Sequence, residues 1–561
     1  MPRTVGIGHQ NFEQLITNDN FYIDKTGFIK EWWENQDMAT LITRPRRFGK
    51  TLTMSMTEQF FSVKYAGRGD LFEGLTIWKE EKYRKLQGTY PVIFLSFADV
   101  KGADFCISHK LICELIAREY ARNVFLLEGE CLTEQEKEAF QRKTKDMGDV
   151  DAVLALNQLS EYLFRYYGKK VIILLDEYDT PMQEAYVNGY WDDMATFTRI
   201  LFNATFKTNP YLERAIMTGI ARVSKESIFS DLNNLTVVTT TSDAYAECFG
   251  FTEPEVWKAL EEYGLSKEQE AVKRWYDGFI FGTHRDIYNP WSILNFLKTG
   301  KLSAYWANTS SNSLVGKLIR EGSREVKETM EDLLEGKTLR IELDEQIVYG
   351  ALEGDENAIW SLLLASGYLK AESYTFCEEY GSEEYELVLT NREVRNMFHN
   401  LIKRWFKEDR PSYNGFIKAL LCGNRKEMNI YMNKVALATF SSFDTGKKPS
   451  EATEPERFYH GFVLGLLVEL RGRYTLTSNR ESGFGRYDVM LEPCGKEDPA
   501  IILEFKVHEP DEERTLEETV QSALTQIEEK HYAAALEARG IEPERIHKYG
   551  FAFEGKKVLI G

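Results

Sequence analysis

Short apolar runs punctuate the first 290 or so residues. "MATLIT", "YPVIFLSF", "KVIILLDEY", "LERAIMTGI" and "NLTVVTT" are dense in Val, Ile and Leu and are of strand length. Between them lie longer stretches with helical periodicity, such as "TLTMSMTEQFFSVKY" and "MATFTRILFNATFKT". Continuous apolar strands separated by amphipathic helices predict a parallel sheet covered on both faces, an α/β domain over 1–290. From about residue 290 the pattern becomes mostly helical. Within it "IWSLLLASGYLKAES", "YELVLTN" and "REVRNMFHNLIKRWF" predict helix, hairpin and helix, an order that fits either a winged-helix-like module or a plain helical connector over 291–440. "FSSFDTGKKPSEATEPE" is rich in Ser, Thr, Gly, Pro and charge and reads as a linker over 441–455. The remainder, 456–561, predicts a helix, three strands, a helix and a last strand ("YGFAFEGKKVLIG"): a small mixed α/β domain.

Composition adds bounds. The chain of 561 residues is 43% hydrophobic and 28% charged, which supplies sizeable cores and suggests two to four domains. No apolar run approaches membrane-span length and the N-terminus lacks a signal-peptide core, so a cytoplasmic protein without a membrane partner is expected. The seven cysteines are scattered and form no C-x-x-C pair. "CISHKLIC" groups Cys106, His109 and Cys113, but on a helical period that predicts packing rather than metal. The net charge of −19 argues against a generic nucleic-acid coat and leaves room for a local basic patch.

Two stretches carry candidate chemistry. In "TRPRRFGKTL", Gly49, Lys50 and Thr51 form the end of a phosphate-binding G-x-x-x-x-G-K-[ST] loop between a strand and a helix. Arg44 stands where that pattern begins with glycine, and Pro45 is placed to set the turn instead. Arg44, Pro45, Arg46, Arg47, Phe48, Gly49, Lys50 and Thr51 are thus the expected nucleotide contacts, with Lys50 on the terminal phosphates and Thr51 on Mg²⁺. "KVIILLDEYDTP" ends an apolar strand in Asp176, a second Mg²⁺ ligand, and Glu177, placed to polarise an attacking water. Thr218 at the next strand end is suited to sensing a γ-phosphate, with Arg222 just beyond; for both, a structural role stands beside the functional one.

In the last domain Glu504 and Lys506 are two apart on a strand and so share a face, and a hairpin can bring Asp488 beside Glu504. Carboxylates to hold Mg²⁺ or Mn²⁺ and a lysine near the attacking water suit metal-dependent phosphodiester hydrolysis. Asp488 and Glu504 would be metal ligands, with the Phe505 carbonyl a further candidate, and Lys506 would lower the pKa of the water or stabilise the phosphorane. Glu456, at the start of the preceding helix, resembles the additional helix carboxylate of PD-(D/E)XK nucleases or is equally an N-terminal acid that favours the helix dipole, and Glu469, later in the same helix, is the other candidate. Arg480 and Arg486, with Ser478 and Asn479, could equally meet a phosphate backbone or form a solvated turn.

The set "FYIDKTGFI", "RPRRFGKT", "LLDEYDTP", "GIARVSKESIFSDLNNL" and "IYNPWSIL" resembles the bacterial AAA-ATPase-like family, whose members typically carry a C-terminal PD-(D/E)XK nuclease-like domain. The resemblance implies a P-loop NTPase sheet followed by a restriction-endonuclease-like fold. It makes "RPRRFGKT" the family's own form of the loop, and it assigns Gln526, with Tyr532, to a "QI…Y" element that orients the second site. It implies ATP as cofactor and nucleic acid, DNA more than RNA, as partner. Self-assembly is plausible, because such nucleotide sites are often completed between subunits. The function expected is an ATP-binding module controlling a nuclease; the alternative is a nucleotide-switched signalling or binding protein whose nuclease-like domain recognises without cutting.

Overall fold

The computed structural model describes residues 2–222, 228–229, 232–306, 315–316, 318–319, 323–343, 356–377, 382–405, 413–439, 463–464, 466–467, 470, 473–482, 485–495, 498–509, 513–554 and 557–561. Two compact units form: residues 1–318 with 336–396, and residues 319–335 with 397–561. The boundary at 396/397 falls inside the helix Arg392–Trp405, upstream of the 441–455 stretch.

The first unit is built on β1 (Ala39–Thr43), β2 (Val92–Ser96), β3 (Val171–Asp176), β4 (Leu212–Gly219) and β5 (Leu235–Val238). These are the five apolar runs of the sequence, and all pair in parallel, in the order β2-β3-β4-β1-β5. Strands β1 and β3 are buried along their whole length, as helix-covered parallel strands require. Helices Lys50–Phe61, Phe105–Arg122, Asp149–Tyr167 and Trp191–Phe202 lie between the strands in sequence. Cys113 is buried in the second of these, within 3.7 Å of the His109 ring nitrogens, as packed helix residues are, whereas Cys106 is exposed on the same helix, against the expected packing.

A small antiparallel sheet of β6 (Phe251–Thr252), β7 (Phe279–Phe281) and β8 (His284–Tyr288) follows, in the order β6-β8-β7. These strands are too short to announce themselves in a hydrophobic pattern. The helix–hairpin–helix order is present as helix Glu356–Ala365, β10 (Leu369–Cys377), β11 (Ser382–Leu389) and helix Arg392–Trp405. It gains an unexpected third strand, β9 (Leu339–Glu342), against β11.

The second unit holds β12 (Tyr474–Ser482), β13 (Gly485–Pro493), β14 (Ala500–Val507), β15 (Ile546–Glu554) and β16 (Lys557–Ile560), side by side in sequence order. The single last strand expected from the sequence is instead the β15–β16 hairpin, because the apolar pattern continues on both sides of Gly555. Only β14 and β15 are parallel, and helix Leu516–Glu529 makes the crossover between them. Strand alternation divides this sheet cleanly. Val489, Leu491, Ile501, Leu503 and Phe505 join one core with Phe416, Leu420 and Met432 from two helices. Met490, Ala500 and Ile502 join the other with Ile527 and Leu536.

Candidate functional site

In the first unit the C-terminal ends of β1, β3 and β4 converge, the edge where parallel α/β sheets bind ligands. Gly49, at φ +84°, starts helix Lys50–Phe61 without any side-chain cap, so the helix N-terminus stays open. Four of the loop's carbonyls turn toward protein donors. Lys50 Nζ donates to the Arg44 and Pro45 carbonyls (2.9 and 3.1 Å), Trp306 Nε1 and Asn289 Nδ2 to that of Arg46 (2.9 and 3.3 Å), and the Gly250 N–H to that of Phe48 (3.4 Å). The N–H groups of Arg47, Phe48 and Gly49 have no backbone partner among the described residues. A loop with most of its carbonyls engaged and three successive N–H groups without backbone partners has the geometry of an anion cradle.

Arg44, Thr51, Asp176 and Thr218 take distinct places around it. The Arg44 guanidinium is fully buried, donates to the carbonyls of Thr43 (3.1 Å), Ala244 (3.0 Å) and Thr239, and lies 4.5 Å over the Phe281 ring. Burial lowers its pKa to about 10. Its backbone N–H goes to the Gly219 carbonyl (3.2 Å), so this residue fastens the loop to the fold. Phe48 packs on Phe279 (4.8 Å between centroids), while the exposed Arg47, at φ +66°, stacks on Trp291 (4.4 Å). Arg46 reaches the Gln183 side chain (3.2 Å).

The Asp176 carboxylate is buried and accepts from the Thr51 hydroxyl (2.8 Å) and the Thr218 hydroxyl (2.5 Å). β4 lies between β1 and β3, which is why Thr218 can reach Asp176. Burial, reinforced by the neighbouring Glu177 charge, raises the Asp176 pKa. Glu177 sits in the left-handed region at φ +53° with its carboxylate 3.7 Å from Lys50 Nζ. Non-glycine residues held there, as Arg47 and Glu177 both are, cost of order 1 kcal/mol or more each. A hydroxyl and a carboxylate in contact beside a lysine form an all-oxygen donor set that fits Mg²⁺.

Asp179, not singled out from the sequence, is fully buried and accepts from the Ile220 and Ala221 N–H groups (2.9 and 3.2 Å) and from Gln183 (3.0 Å). Burial first and Glu177 second push its pKa up to about 6. Its place in the acid-rich "DEYDTP" was the available signal. Arg222 lies at the exit of β4, next to residues outside the description, and no hydrogen bond of its side chain is defined.

In the second unit Asp488, Glu504 and Lys506 have the same parity as Met490 and Ile502, and so face the crossover helix. The pairing of β13 with β14 runs as far as Val489↔Leu503, and Asp488 and Glu504 are the next residues along the two strands. There the Asp488 carboxylate accepts from the Phe505 N–H (2.8 Å). Burial is the main cause that pushes Asp488 up to about 6, against the lowering effects of that hydrogen bond and of Lys506. Glu504, only 2% exposed, accepts from the Gln526 side-chain amide, whose nitrogen also lies 3.2 Å from the Tyr532 hydroxyl. Burial, with the charges of Glu504 and Asp488, raises the Tyr532 pKa. Two facing carboxylates, one neutralised by proton uptake near pH 6, are a donor set suited to a divalent cation.

Glu456 and Glu469 lie outside the described residues, as do the side chains of Asn479, Arg480 and Arg486. Beyond both sites, Glu253, Asp277 and Asp286 form an acidic cluster whose carboxylate oxygens lie within 4.8 Å of one another. Lys273 partly neutralises it, lying 3.6 Å from Asp286 and 2.5 Å from Glu253.

Comparison with known proteins gives the class. Residues 6–229 match the family described as "Predicted AAA-ATPase", and residues 454–561 match the PD-(D/E)XK nuclease superfamily. The chain thus carries an AAA-ATPase-like domain and a nuclease-superfamily domain, the pairing its motifs resemble. Along 98% of its length it is also similar, at 25% identity, to a protein of Azotobacter chroococcum mcd 1 described as "Uncharacterized protein in vnfD 5'region", covering 96% of that protein. Domains of these two kinds generally use a nucleotide and a divalent metal. No helix among the described residues is long and apolar enough to cross a membrane.

Proposed function

We propose that the protein binds and hydrolyses ATP with Mg²⁺ in its first unit and uses this to control a Mg²⁺- or Mn²⁺-dependent phosphodiesterase in its second, acting on DNA or RNA inside the cell. The observation that carries the reading is the placing of a half-buried Asp488 beside the buried Glu504, with Lys506 on the same face. A scaffold strand would have apolar residues at such positions, whereas a cation-binding one needs carboxylates there.

Asp488 and Glu504 would hold the metal, which when bound supplies Lewis-acid polarisation of a phosphodiester and of its attacking water. Gln526 fixes the Glu504 carboxylate, and Lys506 brings a positive charge to the water or to the phosphorane. In the first unit the cradle N–H groups and Lys50 would take the phosphates, Thr51 and Asp176 the cation, and Glu177 the water. Thr218, bonded to Asp176, is placed to register the terminal phosphate.

The net charge of −19 favours a second reading, in which the nuclease-like unit recognises a partner without cutting and the nucleotide acts as a switch. The experiment that separates them is cleavage of supercoiled, linear and single-stranded DNA and of RNA with Mg²⁺ or Mn²⁺, with and without ATP. Wild type is compared with Lys506→Ala and Lys50→Ala. Cleavage abolished by Lys506→Ala and altered by Lys50→Ala is expected. No cleavage of any substrate, with ATP still bound, supports the switch.

A further inference from the structure

The Arg46 carbonyl receives two buried donors from a distant part of the chain, Trp306 Nε1 at 2.9 Å and Asn289 Nδ2 at 3.3 Å. A peptide unit is planar and trans, so its C=O and the following N–H point in opposite directions. Holding the Arg46 carbonyl therefore aims the Arg47 N–H away from Trp306 and toward the open side of the loop. The plane is held although Arg47 must then adopt φ +66°, unfavourable for a residue with a Cβ.

The two donors are themselves locked. Asn289 is fully buried and its oxygen caps the helix Pro290–Thr299 by accepting from the N–H groups of Trp291 (2.9 Å) and Ser292 (3.3 Å). Trp306, 1% exposed, packs on Phe279 and Tyr368 with centroids 5.5 Å apart in each case. Its backbone N–H donates to the buried Glu393 carboxylate (2.6 Å), which also accepts from the Ser292 hydroxyl (2.8 Å). Glu393 begins the second helix of the helix–hairpin–helix segment. The same segment meets the loop again at Gly367, where φ is +81° and a Cβ would fall 2.8 Å from the Pro45 ring. No side chain fits between that turn and the P-loop.

We propose that Asn289, Trp306 and Glu393 are positioning residues that set the P-loop peptide plane for phosphate, and that through them the segment 356–396 responds to nucleotide occupancy. The inference rests on the nucleotide-site reading above. The chain has a physical route in both directions. Phosphate drawing on the Arg47 N–H polarises the 46–47 peptide and strengthens the Trp306 hydrogen bond, and loss of that bond frees the loop to leave its strained conformation.

The test uses the full-length protein and three forms: wild type, Trp306→Phe, which keeps a ring but removes the donor, and Glu393→Gln, which leaves one acceptor oxygen for two donors. ATP and ADP affinities are measured by calorimetry, hydrogen exchange of 356–396 is followed with and without ATP, and thermal melting verifies folding. Wild type is expected to bind ATP and to slow exchange across 356–396 when it does. Trp306→Phe, still folded, is expected to bind ATP about tenfold more weakly, the loss of one well-placed hydrogen bond, and to lose the ATP-dependent protection at 356–396. Glu393→Gln should weaken both effects in the same direction. Wild-type affinity and protection retained in folded Trp306→Phe overturn the brace and leave the nucleotide site standing. Failure of the wild type to bind any nucleotide overturns the site itself and the brace with it.

Discussion

Replacing Asp488 by Asn should stabilise the metal-free protein. In the fold this carboxyl titrates near pH 6 rather than at its ordinary 3.8, chiefly because it is buried. The folded state therefore binds more protons than the unfolded one between those two values, and stability falls as pH rises through that interval. A shift of about two units, at ~1.36 kcal/mol per unit, means that the ionised Asp488 costs the second unit about 3 kcal/mol at pH 8. Asn removes the charge and keeps an oxygen for the Phe505 N–H, so the variant recovers about 2–3 kcal/mol, or about 5–10 °C in the melting of a unit of this size. Calorimetric melting of the full chain in chelator, at pH 8 and again at pH 4.5, checks this. The variant should melt higher at pH 8, and the difference should shrink at pH 4.5, where wild-type Asp488 is protonated. Added Mg²⁺ should raise the wild-type transition and leave the variant's unchanged. An Asn variant no more stable than wild type at pH 8, or an advantage that persists undiminished in acid, refutes the reasoning.

Restoring the glycine that the general P-loop pattern has, with Arg44→Gly, should harm rather than help. It strands the buried carbonyls of Thr239 and Ala244 and removes the cation over Phe281, a loss of about 3 kcal/mol or more; soluble yield and melting temperature read it out, and a stable variant with tighter ATP binding contradicts it. Gln526→Ala should lower divalent-metal affinity about 10–100-fold by releasing the Glu504 carboxylate. A calorimetric Mg²⁺ or Mn²⁺ titration unchanged from wild type would show that Gln526 does not orient that ligand.

The strands of the main sheet were legible because each is an unbroken apolar run, which is what burial on both faces selects. Their order was not, since β4 enters between β1 and β3 through pairings that leave no local mark. That insertion is what brings Thr218 to Asp176. The short strands β6 to β9 escaped for lack of a period long enough to read. The proposed catalytic residues followed from position, as with Glu504 and Lys506 two apart on a strand, whereas their supports did not. Arg44 reads as a missing glycine in the sequence and becomes a buried fastener only when residues 239–244 fold over it. Asn289 and Trp306 acquire meaning only once a carbonyl near residue 46 is beside them.

Register and chemistry in the second unit are one constraint. A slip of one residue by β14 against β13 would turn Glu504 and Lys506 into the core that holds Val489, and would turn Leu503 and Phe505 out of it, away from the face that Asp488 shares. The apolar pattern alone thus places the three polar side chains on the helix-covered face, but it does not explain why they are polar. Their neighbours on that face, Met490 and Ile502, are apolar and buried. Continuing that choice at 488 and 504 would give a more stable metal-free sheet. Asp488 instead depresses stability at neutral pH, and a divalent cation reverses the sign by replacing the proton that Asp488 would otherwise recruit. The same logic holds at Asp176, buried and raised in pKa beside Thr51. Each unit therefore carries a desolvated carboxylate whose raised pKa weakens the metal-free fold at neutral pH, and each should gain stability when Mg²⁺ binds.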